Sequence, residues 1–195
     1  MKNIRYKIEF FSRWHCGSGL SAGADVDALV VKDKNGMPFI PGKTLKGLFR
    51  EATEDYLTLS GEAEKLETSV RSTLGTLDDK GGFSKGTAFF SNATLCSTEY
   101  DEIVRCNAQE FLFQSVSSTA IGKDGVADEH SLRRIQVVVP CTLEAEIQNI
   151  PDDMTDVAGK ALQMIKHMGL DRNRGLGRCQ LTIIAITETK EGGMS

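Results

Sequence analysis

Residues 27–50 read DALVVKDKNGMPFIPGKTLKGLFR, and this stretch decides much of the fold. It begins with a short apolar run over residues 28–31. The Asn35-Gly36 pair that follows is typical of a hairpin turn, because both residue types tolerate a positive φ angle. Apolar residues then recur at spacings of three and four, with polar residues between them. The stretch therefore predicts a hairpin turn followed by an amphipathic helix over residues 44–59.

Further patterns extend on both sides of this stretch. A second helical pattern covers residues 152–168 and ends at Gly169, and a more acidic one covers residues 62–74. Alternating apolar and polar residues predict strands. These strands cover residues 2–11, 87–95, 135–147 with a break near Pro140, and 180–187. The order predicts an α+β, ferredoxin-like (RRM-like) βαββαβ core, in which two helices cover one face of an antiparallel sheet.

Length and composition favour a single domain over residues 1–195. The chain has 195 residues, 40% of them hydrophobic, which is sufficient for one buried core. A polar insertion of about 115–135 interrupts the predicted core. No apolar run approaches the ~20 residues of a membrane helix, and the amino terminus lacks a signal-peptide pattern. The five cysteines are odd in number and widely spaced, so we expect a cytoplasmic protein with no membrane partner.

The charges are unevenly distributed along the chain. The formal net charge is −4, yet residues 1–50 carry nine Lys and Arg against four Asp and Glu. Binding to a phosphate backbone depends on where cations cluster and not on the total charge. The acidic total disfavours indiscriminate coating of DNA, and it leaves a local nucleic-acid site open.

The first basic cluster lies where the predicted helix begins, at Gly42-Lys43-Thr44. Five residues separate Gly36 from Gly42 where a phosphate loop of NTPases has four, and two prolines remove backbone donors, so we exclude that motif. A helix N-terminus still favours an anion. Lys43, Lys46 and Arg50 follow one another on one helical face. The alternatives are an anion site and a solvated helix face.

A second basic cluster lies in a glycine-rich segment near the end of the chain. Residues 168–178 read MGLDRNRGLGR, with Lys166 and His167 just before them. Glycine allows close approach of the backbone to a ligand, and arginine offers a planar fork to phosphate. In the predicted fold this segment precedes the last strand, so it lies near the first helix. The alternative is a tight turn with a solvated rim.

Four segments together resemble the RAMP superfamily, the RNA-binding proteins of CRISPR effector complexes. They are HCGSG at residues 15–19, the stretch 27–50, DRNRGLGR at 171–178, and TAIGKDGVA at 119–127 followed by LRR at 132–134. The last is similar to the thumb of the repeated backbone subunit of type III complexes. The resemblance implies a subunit that polymerises head-to-tail along a guide RNA, with a thumb that interrupts the guide–target duplex at regular intervals.

The same resemblance implies cleavage of the paired target RNA. The residue that matches the cutting aspartate of the family is Asp27, and Asp25 is the second choice. The resemblance also implies a divalent metal ion at Asp27, with magnesium as the first choice. The partners implied are guide RNA, target RNA, further copies of the chain and other type III subunits. The RNA-binding candidates are His15, Lys43, Thr44, Lys46, Arg50, Arg133, Arg134, Arg172, Arg174 and Arg178.

Two other functions stay open. The protein is an architectural RNA-binding subunit if the two aspartates are turn residues, a common fate of Asp beside Gly. It is a guide-RNA-processing endoribonuclease if His15 supplies metal-independent cleavage, as histidines often do in relatives that process precursor guide RNA.

Overall fold

The computed structural model describes residues 1–21, 26–77, 83–126, 128 and 131–189. Its strands are β1 (Lys2–Phe10), β2 (Gly75–Leu77), β3 (Phe83–Lys85), β4 (Phe89–Phe90), β5 (Phe113–Ser118), β6 (Arg133–Val138), β7 (Thr142–Ile150) and β8 (Cys179–Glu188). Its α-helices are α1 (Gly42–Ser60), α2 (Ala63–Leu74), α3 (Ser97–Arg105) and α4 (Thr155–Met164). Short 3-10 turns cover Gln109–Leu112, Asp152–Met154 and Arg172–Arg174. The protein is therefore a mixed α+β structure, as predicted.

The main sheet has four strands in the order β4-β7-β1-β8, and each neighbouring pair is antiparallel. Alternate residues of β1 are fully buried and form the centre of the core. The two helices that cover this face, α1 and α4, pack against each other. The residues concerned are Ile4, Tyr6, Ile8 and Phe10 of β1, Leu45, Phe49 and Ala52 of α1, and Val157, Ala158, Ala161 and Leu162 of α4.

Helix α1 confirms the amphipathic pattern and starts two residues earlier than predicted. The carbonyl oxygen of Pro41 accepts hydrogen bonds from the N–H groups of Thr44 and Leu45, at 2.9 and 3.1 Å. Gly61, with a φ of 74°, ends the helix in the left-handed conformation. Neither this 19-residue helix nor any other in the described ranges is long and apolar enough to cross a membrane.

The predicted end of the helix over residues 152–168 is wrong. Helix α4 ends at Met164, because Ile165 is already extended and the next residues pair with the segment before β8. The N–H of Met168 donates to the carbonyl oxygen of Gly177 at 2.9 Å. The N–H of Cys179 donates to the carbonyl oxygen of Lys166 at 2.8 Å. The glycine-rich segment is therefore the loop of a short hairpin.

Three other elements differ from the prediction. The strand expected over residues 87–95 is reduced to β4 and isolated bridges at Ala93 and Thr94. The strand expected over 135–147 is divided between β6 and β7, which belong to different sheets. Helix α3 was not predicted; its Tyr100, Ile103 and Val104 pack against the core from one helical face without being fully buried.

The polar insertion is an arm that leaves the β5–β6 ladder at its last pair, Ser118 with Arg133, and this end of the ladder is the base of the arm. These strands pair from Phe113 with Val138 to Ser118 with Arg133. The segment after residue 25 lies along β6: the N–H of Asp27 donates to the carbonyl oxygen of Arg134 at 2.8 Å. These contacts place the stretch that begins at Asp27 beside the base of the arm.

Candidate nucleic-acid interface

A cleft of about 300 Å³ opens beside Asp27. It joins three segments that are far apart in the sequence: the start of stretch 27–50, the base of the β5–β6 arm and the glycine-rich loop. We call it the Asp27 cleft. Its lining residues are Asp27, Ala28, Ser118, Arg133, Ile135, Leu170, Asp171 and Arg174. The fold thus brings the predicted catalytic aspartate together with two of the predicted RNA-binding arginines.

Two hydrogen bonds to the backbone of Arg134 hold Asp27 against the arm. Its N–H donates to the carbonyl oxygen of Arg134 at 2.8 Å, and its Oδ2 accepts from the N–H of Arg134 at 2.6 Å. Its Oδ1 accepts no hydrogen bond from the described residues. The residue is exposed, and its Oδ2 fixes the loop against the arm. Asp25 lies outside the described residues.

Arg133 and Arg174 bring two positive charges to the Asp27 cleft, beside the carboxylates of Asp27 and Asp171. Both are exposed, and neither forms an ion pair with a described residue. Their free guanidinium groups suit phosphate oxygens. Arg134 is exposed on the same strand but does not line the cleft.

The glycine-rich loop is positioned by contacts that only glycine allows. Gly169 and Gly177 have φ angles of 89° and 67°. A Cβ on Gly169 would collide with the carbonyl oxygen of His15, and one on Gly177 with that of Met168. The N–H of Gly177 also donates to the carbonyl oxygen of Arg13 at 2.7 Å. The loop therefore packs backbone to backbone on the segment after β1, which fixes Arg174 at the cleft.

His15 lies beneath this surface. It is 2% exposed, and its Nδ1 is 2.6 Å from the carbonyl oxygen of Gln136 in β6. The N–H of Leu170 donates to the carbonyl oxygen of His15 at 3.1 Å. His15 thus links the arm to the glycine-rich loop, and this position favours a supporting role over direct contact with RNA.

A second basic surface lies at the start of α1, in a groove of about 330 Å³. Lys43, Lys46 and Lys85 line it together. Burial, followed by the nearby charges of Arg50 and Lys85, lowers the pKa of Lys46. We call this surface the α1 groove. Lys85 comes from β3 and was not singled out in the sequence, because its neighbours there are glycine, serine and an acidic pair.

The backbone donors of this helix N-terminus are largely occupied. The N–H of Gly42 donates to Asn92 Oδ1 at 2.9 Å, and those of Thr44 and Leu45 donate to Pro41. The expected phosphate cradle is therefore reduced, and the exposed Lys43 and Thr44 side chains carry what remains.

Arg50 is used inside the protein. Its guanidinium group donates to the carbonyl oxygens of Leu74 and Gly75, at 2.8 and 3.1 Å. These are carbonyls at the end of α2, which need partners because the helix supplies none. Sequence spacing placed Arg50 in a cationic stripe with Lys43 and Lys46, but it does not line the α1 groove.

The sequence profile of the RAMP superfamily matches residues 7–180, which is most of the chain. The chain belongs to the RAMP superfamily. This confirms the family inferred from the four segments. No curated protein matches the chain.

Solved structures have a similar fold. One is a chain of "Type III-B Cmr-beta Cryo-EM structure of the Apo state", with a TM-score of 0.68 and 12% identity, covering 93% of this protein and 97% of that chain. Another belongs to "Cryo-EM structure of the Type III-B Cmr-beta bound to cognate target RNA", with a TM-score of 0.67 and 11% identity, covering 93% and 96%. At this identity the likeness concerns the fold.

An RNA-recognition motif binds bases with aromatic side chains on its strands, and the outer face of β1 in this RAMP protein carries none. The aromatic residues of β1, Tyr6 and Phe10, are buried. The other face of β1 carries Arg5 and Lys7, and Arg5 Nη2 lies 3.3 Å from Glu144 Oε2 on β7. Phe89 of the edge strand β4 is 58% exposed and lines the α1 groove, so RNA is expected at the loops, the helix ends and this edge of the sheet.

One exposed aromatic residue stands at the edge of the glycine-rich loop. Phe11 is 48% exposed, and the guanidinium carbon of Arg178 lies 6.0 Å from the centre of its ring. Such a pair suits the face of a single-stranded base. Arg178 lies here and not in the Asp27 cleft, and Arg172 lines a different cavity against α1. Phe11 was missed in the sequence because it directly follows Phe10, the last apolar residue of the β1 alternation.

The metal expected at Asp27 is compatible with part of this geometry. Across the described ranges, no three His, Cys, Asp or Glu side chains are close enough to hold a metal ion. Magnesium is commonly bound by one or two carboxylates together with substrate phosphates and water. Asp27 and Asp171 both line the cleft, so the donors fit an ion that binds together with RNA.

Proposed function

We propose that this RAMP protein is a guide-RNA-binding backbone subunit of a type III CRISPR effector complex, and that Asp27 takes part in cutting target RNA paired with the guide. The observation that carries the proposal is the Asp27 cleft, in which an exposed carboxylate, two arginines without an ion pair to any described residue and the base of a projecting arm meet. We further assign the sheet to the ferredoxin-like βαββαβ arrangement, which the order β4-β7-β1-β8 with α1 and α4 on one face supports.

Guide RNA binds through the basic surfaces in this proposal. Lys43 and Lys46 hold phosphates along the α1 groove, with Lys85 on its opposite wall. Arg178 and Phe11 contact a further nucleotide beside the glycine-rich loop. An RNA longer than one subunit's footprint requires repeated, head-to-tail contacts between copies, and other type III subunits complete the assembly.

The reaction we propose is attack of a target-RNA 2′-hydroxyl on the adjacent phosphorus. A bond forms between O2′ and phosphorus while the bond from phosphorus to O5′ breaks. The products are a 2′,3′-cyclic phosphate and a 5′-hydroxyl, which receives a proton. Asp27 orients the 2′-hydroxyl and accepts its proton through Oδ1.

Charge in the transition state is stabilised by the arginines. Negative charge grows on the phosphate oxygens as the new bond forms, and the guanidinium groups of Arg133 and Arg174 face that charge. A divalent ion held by Asp27 and the phosphate would supply additional charge neutralisation.

In-line attack requires a nucleotide displaced from the duplex. A regular A-form duplex holds the 2′-hydroxyl, phosphorus and O5′ out of line. The β5–β6 arm begins at the wall of the Asp27 cleft, since Ser118 and Arg133 both line it. An arm that enters the duplex there displaces the nucleotide nearest to Asp27.

The test is target cleavage by the assembled guide complex with Asp27→Asn, Asp27→Ala or wild-type protein, each with magnesium and with chelator. Asparagine keeps an oxygen acceptor for the Arg134 N–H and removes the charge, so it separates chemistry from anchoring. We expect both variants to assemble and bind guide RNA, and both to lose regularly spaced cleavage. Asp101→Asn removes the same charge from exposed α3 and is expected to cut normally.

The second candidate is an architectural subunit. The reciprocal hydrogen bonds between Asp27 and Arg134 favour it, because they are what a purely structural loop residue makes. Normal cutting by Asp27→Asn would support this function and overturn the first. The His15 nuclease is a third alternative; it predicts cleavage of repeat RNA by the protein alone in chelator, and the burial of His15 argues against it.

A further inference from the structure

A second cavity of about 310 Å³ lies between α1 and the segment that follows α4. We call it the α1–loop pocket. It is separate from the α1 groove, which lies at the other side of the helix start. Its lining residues are Leu48, Glu51, Ala52, Asp55, Met164, Ile165, Lys166, His167, Arg172 and Asn173.

The lining divides into three chemical regions. Aliphatic side chains of α1 and of the end of α4, including the buried Ala52 and Ile165, form its apolar part. Glu51 and Asp55 are four residues apart and present carboxylates from one helical face. Lys166, His167 and Arg172 come from the other wall.

No ion pair joins the charged side chains that line the α1–loop pocket. Glu51, Asp55, Lys166 and Arg172 are all exposed, and none forms an ion pair with a described residue. The pocket therefore offers hydrogen-bond acceptors on one side, cations on the other and an apolar surface between them. A ligand that matches it has an apolar plane, an amino group and an anionic group.

A nucleotide with an amino-bearing base has these three parts. We propose that the α1–loop pocket binds one base of single-stranded RNA that carries an exocyclic amino group, with Glu51 and Asp55 accepting from that group and Arg172 and Lys166 binding the neighbouring phosphate. Carboxylates accept from the amino group of cytosine, whereas uracil presents an oxygen at the same position. The volume lies at the lower end of small-ligand sites, as one nucleotide requires.

The position of the pocket favours RNA over a peptide. The 3-10 turn Arg172–Arg174 separates it from the Asp27 cleft: Arg172 and Asn173 line the pocket, and Arg174 lines the cleft. One RNA strand that crosses this turn contacts both. The inference rests on the proposed function and adds base preference to it.

The experiment measures binding of the full-length protein to fluorescent single-stranded RNA hexamers of cytidine and of uridine. The two have equal backbone charge and equal ring size. We expect cytidine to bind about fivefold or more tightly, the lower range for one well-made base contact. In the Glu51→Gln/Asp55→Asn double variant, amides that both donate and accept should reduce this preference to within about twofold.

Glu54→Gln is the matched control, because Glu54 is an exposed residue of the same helix that does not line the pocket. It should keep the wild-type preference. Circular dichroism confirms that each variant is folded. Equal binding of the two hexamers by wild-type protein, or an unchanged preference in the double variant, would overturn the base site and leave the proposed function standing.

Two further outcomes are distinct. If neither hexamer binds at low salt, both the base site and the proposed function fail. If the double variant keeps its RNA preference but loses assembly with other subunits, the pocket is a protein-docking site, and the base proposal is overturned.

Discussion

Oδ2 of Asp27 accepts a hydrogen bond from the N–H of Arg134 at 2.6 Å, while the N–H of Asp27 donates to the carbonyl oxygen of the same residue at 2.8 Å. The predicted catalytic residue therefore also joins stretch 27–50 to the base of the arm. We call this pair of hydrogen bonds the Asp27–Arg134 contact.

The structural role of the Asp27–Arg134 contact can be tested without RNA. Asp27→Ala is expected to lower the free energy of unfolding by about 1 kcal/mol, the usual net value of one hydrogen bond, and to accelerate hydrogen exchange of the Arg134 amide. Asp27→Asn should leave that exchange nearly unchanged. Asp124→Ala, at the far end of the arm, is the control. Equal hydrogen exchange of the Arg134 amide in all three variants would contradict a structural role of the Asp27–Arg134 contact.

The glycine-rich loop should reject any side chain at Gly177. Gly177→Ala combines a positive φ with a collision against Met168, so we expect a loss of more than about 3 kcal/mol in urea unfolding. Gly175 has a φ of 88° in the same loop, with nothing within 4 Å of its Cβ position. Gly175→Ala should therefore cost only about 1 kcal/mol. Similar losses at the two positions would show that the backbone contact is unimportant.

Binding through the α1 groove should depend on salt and not on sequence. Replacing Lys43, Lys46 or Lys85 with alanine should weaken single-stranded RNA uniformly and reduce the slope of log affinity against log salt by about 0.7 per lost phosphate contact. The measurement is fluorescence anisotropy at several salt concentrations. Lys65→Ala, on the exposed face of α2, should leave the slope unchanged. An unchanged slope in the three groove variants would place the RNA elsewhere.

The hairpin turn of stretch 27–50 should be sensitive to acid. Burial alone would raise the pKa of Asp33, but hydrogen bonds from Tyr100, Met37 and Asn35 outweigh it and lower that pKa. A group whose pKa is lower in the folded state stabilises above its unfolded pKa, near 3.9 for Asp, and loses this contribution as pH falls through its folded pKa.

Asp33→Asn should therefore be less stable than wild type at neutral pH and show a smaller further loss on acidification below about pH 4. Urea midpoints measured across this range test the expectation. Asp101→Asn should keep the wild-type pH dependence. An Asp33→Asn curve parallel to wild type would exclude Asp33 as a source of acid sensitivity.

Regular patterns in the sequence predicted those elements whose side chains decide their structure. Strand β1 and helix α1 bury one clear face, and both were predicted. The end of α4 was missed because Ile165 and Met168 continue a helical spacing, whereas hydrogen bonds to residues 177 and 179 hold the backbone extended. Helix α3 was missed although its Tyr100, Ile103 and Val104 have a helical spacing, because the helix spans only nine residues.

The candidate site shows the same division. Local motifs identified Asp27 and the arginines of the glycine-rich loop. They could not indicate that Arg50 donates to the end of α2 or that His15 is covered by Gly169 and Leu170, because both partners are distant in the sequence. Ser118 and Lys85 entered the site for the converse reason: the topology placed unremarkable residues beside the clefts.

The walls of the Asp27 cleft come from the first, middle and last parts of the chain. During synthesis it can form only after the glycine-rich loop has left the ribosome and packed on the segment after β1, so a nascent chain has no competent site for most of its translation. Contacts this distant in sequence form late in folding. RNA bound across the finished cleft would contact early and late segments of the chain together. Separation of these segments during unfolding would then require release of the RNA.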